Sequence, residues 1–142
     1  MNVTLDASVW LASVSPGEPH YQSSRALLEA LLRRRADFVQ PELFMVEVVG
    51  TVARRSKDPA YALTMAREAL ALPRLRVASG GEPATTAAVH AAATCALRGA
   101  DAMYVATAQL HDSLLVTLDW ELFQRARPLV RTSTPEGWLA GG

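Results

Sequence analysis

The stretch DAMYVATAQLHDSLLVTLD, residues 101–119, decides the fold, because it carries one carboxylate back to the level of another. Met103, Val105, Ala106 and Leu110 recur at helical spacing over 101–112, and 114–118 is a short apolar run with strand character. Asp112-Ser113 supplies the turn between them. Eleven helical residues descend about 16 Å at 1.5 Å each, and five strand residues climb back a similar distance at about 3.3 Å each. Asp101 and Asp119 are therefore expected at one edge of a sheet. Each also has an ordinary structural account as a helix N-cap: Asp101 follows Arg98-Gly99, which reads as a helix stop, and Asp119 precedes helical residues 120–126.

Towards the N-terminus, residues 3–5 form a short buried strand, and Asp6 stands where it runs out into Ala7-Ser8. A turn at Ser15-Pro16-Gly17 precedes a helix over 20–35, closed by Arg33-Arg34-Arg35, which suit the negative end of the helix dipole. A second strand at 38–40 ends at Pro41, and a helix over 42–55 follows, with Glu47 among Phe44, Val46, Val48 and Val49. A carboxylate in such surroundings needs a cation or an arginine, since an isolated buried charge is costly. Helix 60–72, strand 75–77, the loop 79–83 and an alanine-rich helix over 84–97 come next, with Gly99 expected to cap that helix. After the opening stretch come a helix over 120–126, a final strand at 129–131 and a turn-like tail at 133–139 that covers an edge or meets a partner. Short apolar strands alternating with helices predict a three-layer α/β/α domain with a mostly parallel central sheet, and such sheets bind ligands at the carboxyl ends of their strands.

Composition narrows the function classes. A chain of 142 residues, half of them apolar, fits a single domain spanning 1–142. Lys plus Arg and Asp plus Glu number 14 each, so bulk charge does not mark a strongly basic nucleic-acid binder, and an RNA-facing surface has to be local. The single cysteine, Cys95, suits a reducing compartment and reads as a core thiol. The N-terminus lacks a basic leader and no run is apolar enough to span a bilayer, which makes a cytoplasmic protein with no membrane partner the expectation. Neither G-x-G-x-x-G nor G-x-x-x-x-G-K-[ST] occurs, and Asp6-Ala7-Ser8 lacks the second Asp of a D-x-D phosphatase opening.

Asp6, Glu47, Asp101 and Asp119 are all expected at the same sheet edge. Four such acids repel one another, so keeping them ionised requires a cation, and without one some of their pKa values rise. Oxygen-only ligation selects Mg²⁺ or Mn²⁺ over zinc, and such ions assist hydrolysis of phosphodiesters. Ser8 and Thr117 are placed to orient the carboxylates from behind, although ordinary turn and strand roles account for them equally well. His20, His90 and His111 carry weaker signals.

These residues resemble the PIN-domain ribonucleases, and among them the VapC-type toxins of toxin–antitoxin pairs. The likeness rests on LDASVWLA at the N-terminus, PELFMVE around Glu47, GADAMYVATA around Asp101 and LLVTLDWELF around Asp119, in the family's order and across nearly the whole chain. It implies a metal-dependent endoribonuclease acting on structured RNA such as tRNA or rRNA, a small cognate antitoxin and a homodimer. It also implies that Asp6, Asp101 and Asp119 hold Mg²⁺ or Mn²⁺, with Glu47 contributing directly or through water. A PIN-like module that binds RNA or protein without cutting, and a housekeeping RNA-processing nuclease of the same fold, are the alternatives. An antitoxin is expected to insert an arginine or an apolar helix into the acidic groove, with Trp10 as one candidate wall and core burial as its ordinary alternative.

Overall fold

A computed structural model describes residues 1–141. The elements run β1 (Asn2–Leu5), α1 (Ala7–Ser13), α2 (Tyr21–Arg33), β2 (Asp37–Gln40), α3 (Leu43–Ser56), α4 (Pro59–Leu70), β3 (Leu75–Val77), α5 (Glu82–Cys95), α6 (Gly99–Leu110), β4 (Leu114–Val116), α7 (Trp120–Arg125), β5 (Thr132–Ser133) and α8 (Pro135–Leu139). All strand pairs are parallel, in the order β3-β2-β1-β4-β5. The chain builds outward from β1 through β2 to β3, then returns to lay β4 and β5 on the other side of β1. The strand order therefore reverses between β1 and β4, and at such a switch point the loops leaving the carboxyl ends diverge and open a crevice.

Alternation along the strands sets the two faces. Val3, Leu5, Phe38 and Val116 pack with Leu27, Leu28 and Leu31 of α2 and with Trp138 of α8. Leu115 turns the other way, into the larger cluster with Phe44, Val48, Tyr104 and Val105. The three-layer α/β/α arrangement expected from the alternating pattern is the one observed.

Backbone pairing between β1 and β2 is registered at Asn2 with Asp37 and Val3 with Phe38. Nearer the carboxyl edge side chains take over. The Thr4 hydroxyl donates to the Val39 carbonyl (2.9 Å). Fully buried Gln40, with its amide turned to satisfy both groups, donates to the Leu5 carbonyl (3.0 Å) and accepts from the Leu5 N–H (3.1 Å). On the opposite side the Asp6 N–H donates to the Val116 carbonyl at 2.9 Å. The end of β1 is thus held from both sides, one residue from the first acid.

Four local expectations need correction. Residues 7–13 form a helix that sequence periodicity did not signal, because six of its seven residues are buried and leave no amphipathic stripe. Trp10 is 2% exposed on that helix, so it belongs to the core and walls no groove. The last strand starts at Thr132 instead of 129, since Leu129 and Val130 close a turn through N–H bonds to the Ala126 carbonyl and pack on the core. The tail is helical at 135–139: Thr134 caps it, accepting from the Gly137 N–H at 3.0 Å, and Trp138 packs under the Arg34 guanidinium, 4.7 Å from the ring centroid. A smaller difference lies at Gly99, which opens α6; α5 instead ends on Ala96 at φ 51°, with the Leu97 N–H bonded to the Ala92 carbonyl.

Candidate active site

The switch-point edge gathers the four acids from four separate elements. Asp6 leaves β1 as the N-cap residue of α1, Glu47 lies in the second turn of α3, Asp101 in the first turn of α6, and Asp119 at the N-cap of α7. One cavity of about 480 Å³ is lined by all four, together with Ser8, Arg98, Ala100 and Leu118. A cleft of about 500 Å³ at residues 127–132 has none of the four in its lining.

Two hydroxyls set Asp6. Ser8 and Thr117 both donate to its Oδ2, each at 2.8 Å. The Asp6 carboxylate makes no cap to the helix it precedes, so its orientation comes from these neighbours, and among the described residues its Oδ1 takes no hydrogen bond. Thr117 is fully buried and acts twice: its hydroxyl gives its proton to Asp6 and accepts from the Asp119 N–H at 3.0 Å. A single threonine therefore ties the loop after β1 to the loop after β4.

The N-cap accounts of the two later acids separate in the structure. Asp119 does cap α7, with Oδ1 accepting from the Glu121 N–H (2.8 Å) and the Leu122 N–H (3.0 Å). Only its Oδ2 remains, 3.6 Å from Nη2 of Arg98. Asp101 makes no cap; Arg98 holds that position, and Asp101 sits two residues into α6 with Oδ2 3.6 Å from the Arg98 Nε. Both Arg98 contacts are too long for hydrogen bonds and join an arginine whose side chain is 78% exposed. They hold it loosely.

Repulsion and burial show in the titration of the site. Burial pushes the Glu47 carboxyl up, with the charges of Asp6 and Asp101 adding to it, while the Tyr104 hydroxyl and the Arg54 charge oppose. Asp101 is raised by burial and by the charges of Asp6 and Asp119 against the pull of Arg98. Tyr104 is 1% exposed, and burial with the nearby Glu47 and Asp6 charges drives its phenol far above the ordinary range, so it remains a proton donor at any working pH. Its hydroxyl faces Glu47, yet neither it nor the Glu47 Oε1 has a hydrogen-bond partner of good geometry. Two orphaned buried polar atoms beside three further carboxylates mark a place where a bound group belongs.

The donor chemistry fits a hard divalent cation: oxygen atoms only, an excess of negative charge and an unpartnered carboxylate oxygen. Among the described residues no three His, Cys, Asp or Glu side chains stand close enough together to hold an ion as they are. A bound cation would compete with Arg98 for Asp101 and Asp119.

The model of the PIN domain family matches residues 3–128. The chain belongs to the PIN domain family. No individual curated protein matches it at a significant level. Several solved structures share its fold. A chain of the VapBC2 complex of Rickettsia felis, bound to a promoter DNA fragment, superposes with a TM-score of 0.73 at 16% identity, covering 94% of this chain and 98% of that one. FitAcB of Neisseria gonorrhoeae gives 0.73 at 20% identity, covering 96% and 99%. VapBC-1 of nontypeable Haemophilus influenzae gives 0.72 at 13% identity, also covering 96% and 99%. Coverage near completeness on both sides means that this PIN chain has neither a large insertion nor a missing layer relative to them.

Gln40 and Tyr104 escaped the sequence reading. Gln40 is the polar residue ending an otherwise apolar strand before Pro41, a pattern that marks a side chain with a backbone partner. Tyr104 lies three residues after Asp101 on one helix, a spacing that puts both on one face. Among the described residues no helix is long and apolar enough to cross a membrane.

Proposed function

We propose that this PIN domain is a Mg²⁺- or Mn²⁺-dependent endoribonuclease and the toxin of a toxin–antitoxin pair. One observation carries the reading: four carboxylates from four elements line one cavity at the sheet's switch point, with Asp6 held in place by two hydroxyls. Asp6, Asp101 and Asp119 would hold the ion through their open oxygens, and Glu47 would join them directly or through water. A divalent ion held there would supply charge stabilisation at the scissile phosphate and lower the pKa of a bound water. Glu47, whose carboxyl burial pushes up, would be placed to accept a proton from the attacking water. Ser8 and Thr117 hold Oδ2 of Asp6, and the cap holds Oδ1 of Asp119. The toxin assignment draws on solved structures whose names are those of toxin–antitoxin complexes, and with it come a structured-RNA substrate, a small antitoxin, a homodimer and a cytoplasmic setting.

Incubating the purified protein with total RNA in Mg²⁺, Mn²⁺ or EDTA, beside Asp6→Asn and Asp101→Asn, tests the proposal. Discrete fragments that need metal and vanish in both variants are expected. Folded protein that cuts nothing in either metal, or cutting that persists undiminished in both variants, would overturn it. Growth arrest on expression, relieved by a small protein encoded beside it, separates a toxin from a processing enzyme.

A further inference from the structure

The acid centre is the middle of a longer groove. A second cavity of about 320 Å³ shares Asp6, Ser8, Glu47 and Leu118 with the first and continues towards Arg54, Arg55, Glu18 and His20. The acids shared by the two cavities thus have Arg54 and Arg55 on the α3 side and Arg98, against Asp101 and Asp119, on the α6 side.

The arginines differ in how far they are engaged. Arg55 forms an ion pair with Glu18, and His20 lies against Glu136. Among the described residues Arg54 makes only a 3.4 Å contact to the Thr51 hydroxyl, which leaves nearly all of the five donors of its guanidinium uncommitted there. Its direction is set by the helix, whose side chains lean towards the N-terminus. The guanidinium reaches back over Gly50, one turn earlier: a Cβ there would meet the Arg54 Nη1 in ordinary contact at 3.4 Å. The guanidinium therefore lies back along α3 towards Glu47, which feels its charge. Seven helical residues span about 10 Å, and with the side chain folded back the charge falls roughly one or two nucleotide steps from the acids. Arg98, loosely held and mostly exposed, has the matching freedom at the other end.

We propose that Arg54 and Arg98 are the two phosphate anchors of an RNA strand laid along this groove, gripping backbone phosphates on opposite sides of the one at the acid centre. The inference rests on the nuclease reading above. Carboxylates alone would repel a polyanion, and a cation at each end of the groove fixes the strand's path. The planar, multiply donating guanidinium suits a phosphate better than an ammonium would. Two adjoining cavities of about 320 and 480 Å³ fit a single strand better than a duplex, which places the cut in a loop or another single-stranded segment.

The test is binding of a labelled oligouridylate in EDTA at a series of low salt concentrations, followed by fluorescence anisotropy. Each lost phosphate contact on a single strand lowers the slope of log K against log salt by about 0.7. Arg54→Gln and Arg98→Gln should each lower the slope by that amount and weaken binding several-fold, and the double variant should lose both. Arg25→Gln, on α2 and outside the lining of either cavity, should change neither. In Mn²⁺ the two groove variants should raise KM more than they lower kcat. Wild-type slopes in either groove variant, an equal loss in Arg25→Gln, no binding of the oligouridylate by the wild type, or equal affinity for a duplex would each overturn the inference. Failure of the nuclease reading looks different: the wild type binds the strand with the expected arginine dependence and cuts no RNA in either metal.

Discussion

Thr117 is the residue on which the site's geometry turns, since its one hydroxyl serves two acids from the buried side. Thr117→Val keeps the shape and removes both bonds. The Asp119 N–H loses its acceptor and Asp6 keeps only Ser8. Groups that orient ligands from behind typically cost 10–100-fold in metal affinity or activity when removed, so a loss of about that size is expected in the RNA-cleavage assay. Thr117→Ser should restore most of it. Activity unchanged in the valine variant would show that Asp6 is held adequately by Ser8 alone. Asp6 and Asp119 were legible in the sequence because each follows a short apolar strand, and a strand end is a local signal. Ser8 and Thr117 were placed beside the acids by the same reasoning, but that both hydroxyls fall on one oxygen of Asp6, and how far Arg54 and Arg98 are engaged, depend on what surrounds them in space. No window of sequence contains that information.

At the scale of the element, Asp119 serves helix α7 and the cavity with different oxygens. The two roles can be separated. Asn caps a helix about as well as Asp, while Ala loses about 1 kcal/mol of capping. Asp119→Asn is therefore expected to melt near the wild type and to lose metal-dependent cleavage, whereas Asp119→Ala loses cleavage and about 1 kcal/mol of stability as well. Thermal melts of the three proteins, beside the RNA assay, check this; an Asn variant with full activity would leave the residue a cap and nothing more. Helices α2 to α7 and the four strands up to β4 could be placed from sequence because apolar periodicity and Pro or Gly punctuation agreed there. Helix α1 was missed since burial on every side erases periodicity, and α8 because five residues, one of them glycine, carry no propensity signal. The two-residue β5 was displaced for a related reason: its apolar neighbours Leu129 and Val130 look more like strand than Thr132 and Ser133 do, yet they serve a turn.

Across the molecule charge balances at 14 basic and 14 acidic residues, but four acids converge at one sheet edge, and stability should report that concentration. Glu47 and Asp101 have folded pKa values above their unfolded ones, the first cause in each being burial. The folded chain binds those protons more tightly than the unfolded chain. Their contribution to stability is full below the ordinary carboxylate range and is lost as pH rises through the raised folded values. Two groups work in the opposite direction. Burial raises the pKa of Glu136, but the Ser23 hydroxyl, its own backbone N–H and His20 outweigh it, so its contribution is present above the ordinary value and lost as pH falls through the lowered one. Burial and then the Arg76 charge lower His111, whose contribution is likewise lost as pH falls through its lowered value. Neither lines the acid cavity, so the difference between melts in Mg²⁺ and melts in EDTA isolates the edge. That difference should be small near pH 4, where protons and the metal compete for the same oxygens, and grow as pH rises through the raised values of Glu47 and Asp101. Glu47→Gln should raise the melting temperature in EDTA at pH 7 to 8 by roughly 3 °C, for about 1 kcal/mol of relieved repulsion, and should shrink the response to Mg²⁺. Melts in EDTA and Mg²⁺ that run parallel from pH 4 to 8 would mean that the acids do not act as one cation-binding group, and the metal-dependent reading of this edge would fall with them.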